Sequence, residues 1–363
     1  MGYLQGQQSK WLLGLALSLL TTTASFAGED TMPPPYKDIV SPELAAKYVY
    51  TEDGAYTKAL GIPTYEWMPT AGDPKAIVLG VHGLTLHGRR FRVFARTLAV
   101  NGIGFVSLDM RGFGRCHFGD TIPFSTATED RTKVNNEKSY IDVVALAQLI
   151  KQKYPGLRMI ALGESLGCTF AVRLAAEHPE LVDAVLLSAP AVRINPDMYA
   201  GHGQIIKGLE AVIKPSHEIK MSGFFADLVS KRPEVQNEMI DDPLIRKELS
   251  IGELLNTDEF VKKTEKWGKA TSPKLAVLIL QGSIDGCVSA KHVTDLMNAM
   301  PSYDQNLAWR GNFGHLQLET EFMRAPTVDA VGDWLQNHSA PQRIKLGDLE
   351  QNIVGLGGTL LPN

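Results

Sequence analysis

A serine lies between two glycines in the stretch Gly-Glu-Ser-Leu-Gly, residues 163–167. The apolar run "RMIAL" precedes it, and a run of small and apolar residues from Cys168 follows it, so the pattern predicts a strand, a tight turn and a helix. A serine on such a turn is presented to substrate, while its small neighbours let the strand and the helix pack closely. The stretch therefore indicates a catalytic nucleophile at Ser165. The alternative is a glycine-rich loop with an incidental serine.

A serine hydroxyl needs a base to accept its proton, and the base needs a third group to orient it. With a nucleophile on a strand–turn–helix, the acid and then the histidine follow it along the chain. Asp285 follows the predicted strand "KLAVLILQG", and His315 follows the predicted strand "QNLAWRG". We therefore predict Asp285 as the acid and His315 as the base. The alternatives are a turn-forming Asp-Gly pair and a histidine in a surface loop.

Other residues of the same types are weaker candidates for the triad. His292 lies on a predicted helix, His338 lies beyond the last helix, and Asp304 precedes the final strand. His82 comes before the serine in the chain, which is the wrong order for a base on this architecture.

Acyl transfer also needs two N–H groups to meet the negative charge that develops on the carbonyl oxygen. Leu166, the residue after the nucleophile, supplies one of them. The other is predicted at Leu84, in the loop that His82 and Gly83 open after the apolar run "KAIVLGVHG". The alternative is that His82-Gly83 is merely a strand-ending turn.

Strands alternating with helices must position these residues. Continuous apolar runs alternate with helical stretches from residue 75 to 190 and again from 274 to 338, which predicts a doubly wound, mostly parallel α/β sheet. The stretch "GAYTKALGIPTYEWMP" before them alternates like a strand pair broken at residues 61–63. From 191 to 270 apolar stripes of helical period, at 205–213 and 221–229, occur without a convincing strand. The predicted domains are a core at 28–190, a helical insertion at 191–270, the rest of the core at 271–338 and a tail at 339–363.

The composition is that of an ordinary globular protein. Of 363 residues, 44% are hydrophobic and 21% are charged. The net charge of −4 shows no excess of positive charge that would indicate nucleic-acid binding. Three widely spaced cysteines do not make a disulfide framework or a zinc site, and Cys168 has the character of a small core residue. The sequence implies no metal and no organic cofactor, and it leaves the oligomeric state open.

The N-terminus resembles a secretory signal. The apolar run "WLLGLALSLL" follows Lys10, and small residues occupy positions 25 and 27, which predicts cleavage after Ala27. The apolar run is short for a membrane span. We therefore expect a secreted or periplasmic protein, with an uncleaved membrane anchor as the alternative.

At these residues the chain resembles the α/β-hydrolase superfamily, and within it the monoacylglycerol lipase and lysophospholipase branch. The matching stretches between about residues 55 and 338 are "YEWMPTAGDPKAIVLGVHG", "LAVNGIGFVSLDMRGFGRC", "LGESLG", "QGSIDGCVS", "GHLQLE" and, in the insertion, "SKRPEVQNEMIDDPL". The resemblance implies the α/β-hydrolase fold, Ser165, Asp285 and His315 as triad, Leu84 and Leu166 as oxyanion donors, and a helical cap over an acyl pocket.

The chain departs from the branch at two positions. Leu86 stands before His87 where an acidic residue is usual, and Cys116 takes the place of a serine in the Arg-Gly-x-Gly region. Both departures weaken any inference about the polar head of the substrate. The Gly-Gly-Pro-Gly loop of the related proline iminopeptidases is absent, which argues against peptidase activity.

The sequence thus predicts an enzyme that cleaves carboxylic esters, with monoacylglycerols or lysophospholipids as substrates. Transfer of the acyl group to another alcohol uses the same acyl-enzyme, and a non-catalytic binding protein on this fold is a third interpretation. In the insertion, Phe224, Phe225 and Leu228 either line an acyl tunnel or pack against the core. The insertion is also a candidate surface for transient contact with lipid or membrane.

Overall fold

The computed structural model describes residues 40–118, 130–193 and 215–339, without the side chains of 222–224. The predicted signal peptide, the apolar stripe at 205–213 and all but the first residue of the predicted tail lie outside these ranges. Within them, no helix has the length and apolar character needed to cross a membrane.

A mostly parallel eight-stranded sheet forms the centre of the protein, as predicted. Its strand order is β1-β2-β4-β3-β5-β6-β9-β10, and only the pairs β1–β2 and β2–β4 are antiparallel. Its strands are β1 Tyr48–Glu52, β2 Thr64–Pro69, β3 Ala76–Val81, β4 Gly104–Leu108, β5 Arg158–Glu164, β6 Ala184–Ser188, β9 Ala276–Gly282 and β10 Asp304–Arg310. Two further strands, β7 Glu218–Lys220 and β8 Glu248–Ser250, lie outside this sheet.

Helices follow the parallel strands and cover both faces of the sheet, which is the doubly wound arrangement. The described helices are α1 Pro42–Ala45, α2 Ala55–Leu60, α3 Arg92–Val100, α4 Gly114–His117, α5 Asn136–Lys153, α6 Leu166–Glu177, α7 Ser222–Val229, α8 Pro233–Asp241, α9 Ile251–Val261, α10 Thr264–Lys269, α11 Ala290–Ala299 and α12 Ala325–Ser339, with a 3₁₀ turn at Gly88–Phe91.

Strand β3 shows why the central strands read as continuous apolar runs. Successive side chains of a strand point to opposite faces of the sheet. Ile77, Leu79 and Val81 belong to the hydrophobic cluster on one face, whereas Ala76 and Val78 belong to the cluster on the other. Because helices cover both faces, every residue of β3 is buried.

The insertion leaves the sheet after β6 and returns at β9. These two strands are hydrogen-bonded neighbours, so the chain between them is an excursion from one continuous sheet. Its described part holds helices α7–α10 and an antiparallel pair, β7–β8. The expectation that this segment contains no strand is therefore wrong. Each of these strands has only three residues, which is too short for alternation to show in the sequence.

Two other predictions of local structure need correction. Residues Ala55–Leu60 form helix α2 rather than a strand, and only the second half of that stretch, β2, is extended. Gly61 ends the helix with a left-handed backbone at φ 65°, and its N–H donates to Thr57 O at 2.7 Å. Helix α6 begins directly after the serine, at Leu166, rather than at Cys168 as predicted.

Candidate active site

Ser165 lies on a strained turn between β5 and α6. Its backbone has φ 55° and ψ −118°, a conformation that costs a non-glycine residue about 1–3 kcal/mol. The Ser165 N–H donates to Ser188 O at 2.8 Å, which ties the turn to the end of β6. The side chain is partly exposed, although its neighbours on both sides are buried.

The two glycines around the serine let the strand and the helix approach closely. A Cβ atom on Gly163 would lie 2.2 Å from the backbone carbon of Gly167. A Cβ atom on Gly167 would lie 1.9 Å from Val81 O, at the end of β3. No side chain fits at either position, so the glycines are required by the packing of this turn.

Asp285 and His315 meet at the carboxyl ends of β9 and β10. His315 Nδ1 and Asp285 Oδ2 are 2.8 Å apart, and both side chains are almost fully buried. The other carboxylate oxygen, Oδ1, accepts the N–H groups of Cys287 at 2.8 Å and Val288 at 3.0 Å. These bonds fix the carboxylate so that it orients the imidazole.

The electrostatics of this pair favour an ionised aspartate. Burial alone would raise the pKa of Asp285, but the charge and hydrogen bond of His315 outweigh it and lower that pKa. Burial alone would lower the pKa of His315, yet the charge and hydrogen bond of Asp285, with the charge of Glu164, raise it. The surroundings therefore stabilise the imidazolium that forms when His315 accepts a proton.

The structure joins Asp285 to His315 but shows no hydrogen bond from His315 to the Ser165 hydroxyl among the described residues. In ligand-free enzymes such bonds are often long and tighten only when substrate binds. His315 Nδ1 is occupied by Asp285, so Nε2 is the nitrogen left to act on Ser165.

The predicted oxyanion donors come from two different segments. Leu166 is the first residue of α6, so its N–H has no acceptor within the helix. The Leu84 N–H donates to no protein acceptor in the described part of the chain. Thr85 beside it has φ 68°, which turns the backbone sharply at this point. An oxyanion hole requires two free N–H groups, and these two, one at the start of α6 and one on the loop after β3, are candidates for it.

The hydrogen bonds of His82 are those of a structural residue in the predicted oxyanion loop rather than those of a base. Its Nδ1–H donates to Gly83 O at 2.8 Å, and its Nε2 accepts the Met110 N–H at 3.0 Å. Burial is the largest effect on its pKa and lowers it to about 4. Both ring nitrogens are thus engaged, and the ring stays neutral.

The weaker triad candidates lie elsewhere. Asp304 and His338 pair with each other at 3.0 Å, at the start of β10 and the end of α12. His292 lies on α11.

Helix α7 of the insertion contacts both triad loops through its last carbonyl groups. Leu228 O accepts the Gly286 N–H at 3.2 Å, and Val229 O accepts the His315 N–H at 2.8 Å. Phe225 is buried in the main hydrophobic cluster and Leu228 packs against it, whereas the Phe224 side chain is outside the described residues. Two recesses in the described surface, of about 100 and 720 Å³, do not include these residues or Ser165.

A second set of contacts joins the insertion to the oxyanion loop. His87 Nε2 lies 3.1 Å from Asp242 Oδ2, and the Arg246 N–H donates to Thr85 O at 2.9 Å. The acidic partner that the sequence lacks beside His87 is therefore supplied by Asp242, 155 positions later.

The three cysteines are buried free thiols, and burial raises the pKa of each. Cys168 is wholly inaccessible, in agreement with its predicted core role. Cys287, Asp285 and His315 offer ligand atoms within 4.8 Å of one another. Since the carboxylate and imidazole bind each other and the thiol is neutral, the grouping is better explained as an acid–base pair than as a metal site.

Glu164, the residue before the serine, was missed by the sequence reasoning. Its carboxylate is fully buried and accepts the Ser188 hydroxyl at 2.6 Å. It also accepts the N–H groups of three consecutive residues beyond His315, at 317–319. The one signal in the sequence was an acidic residue at the end of an apolar strand.

The sheet topology and the strained serine define the protein as an α/β-hydrolase. A family model described as "Serine aminopeptidase, S33" matches residues 72–321, and the chain belongs to this family. Human monoglyceride lipase is 26% identical over 282 residues, which are 76% of this chain and 86% of that protein. The monoacylglycerol lipase of Mycolicibacterium smegmatis is 23% identical over 278 residues, which are 75% of this chain and 91% of that protein.

The solved structures agree on the fold. A soluble variant of monoglyceride lipase from Saccharomyces cerevisiae, in complex with a substrate analog, has a TM-score of 0.64 at 19% identity. The match covers 85% of this chain and 99% of that one. The predicted resemblance to the monoacylglycerol lipase-like branch of the α/β-hydrolases is confirmed.

Proposed function

We propose that this protein is a carboxylic ester hydrolase that cleaves monoacylglycerols through Ser165, His315 and Asp285. The observation that carries the proposal is the buried Asp285–His315 pair, at 2.8 Å, in chain order after a serine on a strained turn. The relatives named as monoglyceride lipases, of which this chain spans most of the length, support the substrate class.

In the proposed reaction, Ser165 Oγ attacks the ester carbonyl while His315 Nε2 takes the hydroxyl proton. The carbonyl oxygen becomes an oxyanion held by the Leu84 and Leu166 N–H groups. When the carbon–oxygen bond to glycerol breaks, His315 returns its proton to the glycerol oxygen. Water then attacks the acyl-enzyme, with its proton taken by His315 and passed back to Ser165 as the fatty acid leaves.

Asp285 keeps His315 in the tautomer that leaves Nε2 free. Its carboxylate accepts the Nδ1–H, so the lone pair of the neutral ring lies on Nε2. It also balances the charge of the imidazolium that exists between the two proton transfers.

The experiment compares hydrolysis of monoacylglycerol, lysophospholipid and an amino-acid naphthylamide by wild type and by the Ser165→Ala variant. We expect wild-type hydrolysis of monoacylglycerol and loss of that activity in the variant. An aminopeptidase would cleave the naphthylamide. A preference for lysophospholipid over monoacylglycerol would change the proposed substrate class to lysophospholipids. A Ser165→Ala protein as active as wild type would refute the mechanism.

Acyl transfer is distinguished by the products. With glycerol or another alcohol added, an acyltransferase forms new ester in preference to free fatty acid, whereas a hydrolase releases fatty acid at an undiminished rate. Labelling of Ser165 by a fluorophosphonate probe separates both enzymes from a non-catalytic binding protein, which has no activated serine.

We also propose that the enzyme is exported and that its leader is removed after Ala27. The proposal rests on the apolar run and the small residues at 25 and 27. N-terminal sequencing of the protein from its native host is expected to start at Gly28. An intact Met1 in a membrane fraction would instead support an uncleaved anchor.

A further inference from the structure

Two buried carboxyl groups lie beneath the proposed triad, and the mechanism above uses neither. Glu164 and Glu319 are both fully inaccessible to solvent. Glu164 ends β5 immediately before the nucleophile, and Glu319 lies four residues after His315. A buried carboxyl group without a function is costly, so each of them needs a physical explanation.

The hydrogen-bond partners of Glu164 favour an ionised carboxylate. Oε1 accepts Ser188 Oγ–H at 2.6 Å and the Gln317 N–H at 2.8 Å, and Oε2 accepts the Glu319 N–H at 2.7 Å. The Leu318 N–H lies between the two oxygens, at 3.1 and 3.2 Å. Every partner is a donor, which is the arrangement that an acceptor-only carboxylate satisfies.

Glu319 has the opposite surroundings. Its Oε2 accepts the Gly83 N–H at 2.9 Å, while its Oε1 has no partner in the described part of the chain. Burial, followed by the charge of Glu164, raises the pKa of Glu319 well above its ordinary value. Burial raises the pKa of Glu164 as well, but the Ser188 hydroxyl and the Gln317 and Glu319 N–H groups oppose that effect. Because Glu319 has fewer donors and its pKa is raised further, Glu319 holds the proton and Glu164 carries the charge.

The Glu164 carboxylate connects the two halves of the proposed triad. Glu164 directly precedes Ser165 in the chain, and its carboxylate accepts the N–H groups of residues 317–319, two to four positions beyond His315. Burial, the largest effect, opposes charge on His315, but the negative charge of Glu164 acts with that of Asp285 to favour it.

We propose that Glu164 is a positioning residue, whose ionised carboxylate clamps the backbone of 317–319 so that His315 stays in register with Ser165 and its imidazolium is stabilised. The inference rests on the proposed function, because it assigns Glu164 a role in activating the serine. The Gly83 N–H bond to Glu319 extends the same connection to the oxyanion loop.

The remaining ionisable groups nearby do not supply this charge. Burial raises the pKa of Cys168 and Cys287, so both thiols are neutral. Arg90 donates to Glu319 O at 2.9 Å, and its own charge is balanced by Glu238 at 2.8 Å. The carboxylates whose charges raise the pKa of His315 are thus Asp285 and Glu164.

The experiment measures how fast a fluorophosphonate probe labels Ser165 across the pH range, in wild type and in three variants. Labelling needs an activated serine but no particular substrate. In Glu164→Gln, one acceptor oxygen becomes an NH₂ group that faces N–H donors, and the charge is lost. We expect labelling about 10- to 100-fold slower, from lost hydrogen bonds to a charged group. The acid limb of the pH profile, where labelling slows as His315 becomes protonated, should move to lower pH in this variant, because His315 loses a stabilising anion.

Glu319→Gln is the matched control, since it makes the same chemical change at the same depth of burial in a group that is already neutral. We expect its acid limb to stay at the wild-type pH. Glu164→Asp keeps the charge but shortens the clamp, so its labelling should be slower with an unmoved acid limb. This variant also tests the clamp if Glu164→Gln does not fold, and a wild-type labelling rate in Glu164→Asp would then overturn the proposal.

The proposal is also overturned if Glu164→Gln labels with the wild-type rate and acid limb, or if Glu319→Gln moves that limb as far as Glu164→Gln does. Its failure is distinguishable from failure of the proposed function. If wild type is labelled at Ser165 but hydrolyses no ester, the substrate assignment fails and the comparison of variants still stands. If wild type is not labelled at all, the serine is not a nucleophile and the proposed function fails first.

Discussion

Replacement of Gly167 by alanine tests whether close packing behind the serine maintains the oxyanion hole. The new Cβ atom would lie 1.9 Å from Val81 O, 2.6 Å from Val81 C and 2.9 Å from His82 O. All three are backbone atoms, which cannot rotate away. To reach the 3.4 Å of an ordinary contact, the end of β3 and the start of α6 must separate by about 1.5 Å.

This separation acts on the two predicted oxyanion donors directly. Leu84 follows Val81 by three residues, and Leu166 precedes Gly167, so the two N–H groups move apart with their segments. An N–H···O bond of about 2.9 Å that lengthens by 1.5 Å is lost. Loss of one oxyanion donor lowers kcat by about 10²- to 10³-fold. Overpacking of this kind also costs about 1–3 kcal/mol of folding free energy.

The control is Gly332→Ala, in the middle of α12. A Cβ atom there meets nothing within 4 Å. Alanine in a helix interior is favoured over glycine by about 0.5–1 kcal/mol, so this variant should be slightly more stable and fully active. The assay is urea unfolding with kcat and KM on a p-nitrophenyl ester. If Gly167→Ala keeps both its stability and its kcat within twofold of wild type, the role assigned to this contact is wrong.

Three further predictions concern single side chains. Asp285→Asn should lower kcat by about 10⁴-fold. It should also shift the acid limb of the pH profile to lower pH, because the charge of Asp285 no longer offsets the effect of burial on the pKa of His315. Measurements of kcat against pH check both. In Glu253→Gln, urea unfolding should show a loss of roughly 1–2 kcal/mol at pH 7. Burial raises the pKa of Glu253, but bonds from Arg246 and from the Ser250 N–H prevail and lower it to about 2, so the loss should vanish as pH falls from 4.5 towards 2. Phe225→Ala should destabilise the fold by about 3 kcal/mol, with an unchanged acyl-length preference if Phe225 only packs in the core; a changed preference in product analysis would place it in the acyl site.

The elements that the sequence predicts well are those with long, regular patterns. The buried strands β3, β5 and β9 are continuous apolar runs, and their order fixes where Leu84, Ser165 and Asp285 are expected. The pairing of Asp285 with His315 could be expected because the loops after neighbouring parallel strands meet at one edge of the sheet.

Short elements and long-range polar contacts could not be predicted in this way. Helix α2 has six residues, which is too few to distinguish a period of 3.6 from one of 2. Three partners of Glu164 are backbone N–H groups more than 150 positions away, and backbone groups leave no trace in a sequence. The same holds for Asp242, whose distance from His87 along the chain hides their contact.

Two Asp–His pairs in this protein show what makes a histidine suitable as a base. The Asp304–His338 pair, at 3.0 Å, is almost as close as the Asp285–His315 pair, at 2.8 Å. Yet Asp304 is the first residue of β10, aligned with the first residue of β9, whereas Asp285 and His315 follow the last residues of those strands. The two pairs therefore lie at opposite edges of the sheet, about 20 Å apart for strands of seven residues.

The two histidines also differ in whether a ring nitrogen is left without a partner. His338 Nδ1 faces Trp334 O at 2.6 Å while its Nε2 faces Asp304, so each ring nitrogen already has a described partner and neither is open to a serine hydroxyl. In His315 only Nδ1 is engaged by a described partner, and Nε2 stays available at the edge where Ser165 lies. Strand polarity and the unoccupied nitrogen, rather than the closeness of an aspartate, therefore support His315 over His338 as the proposed base.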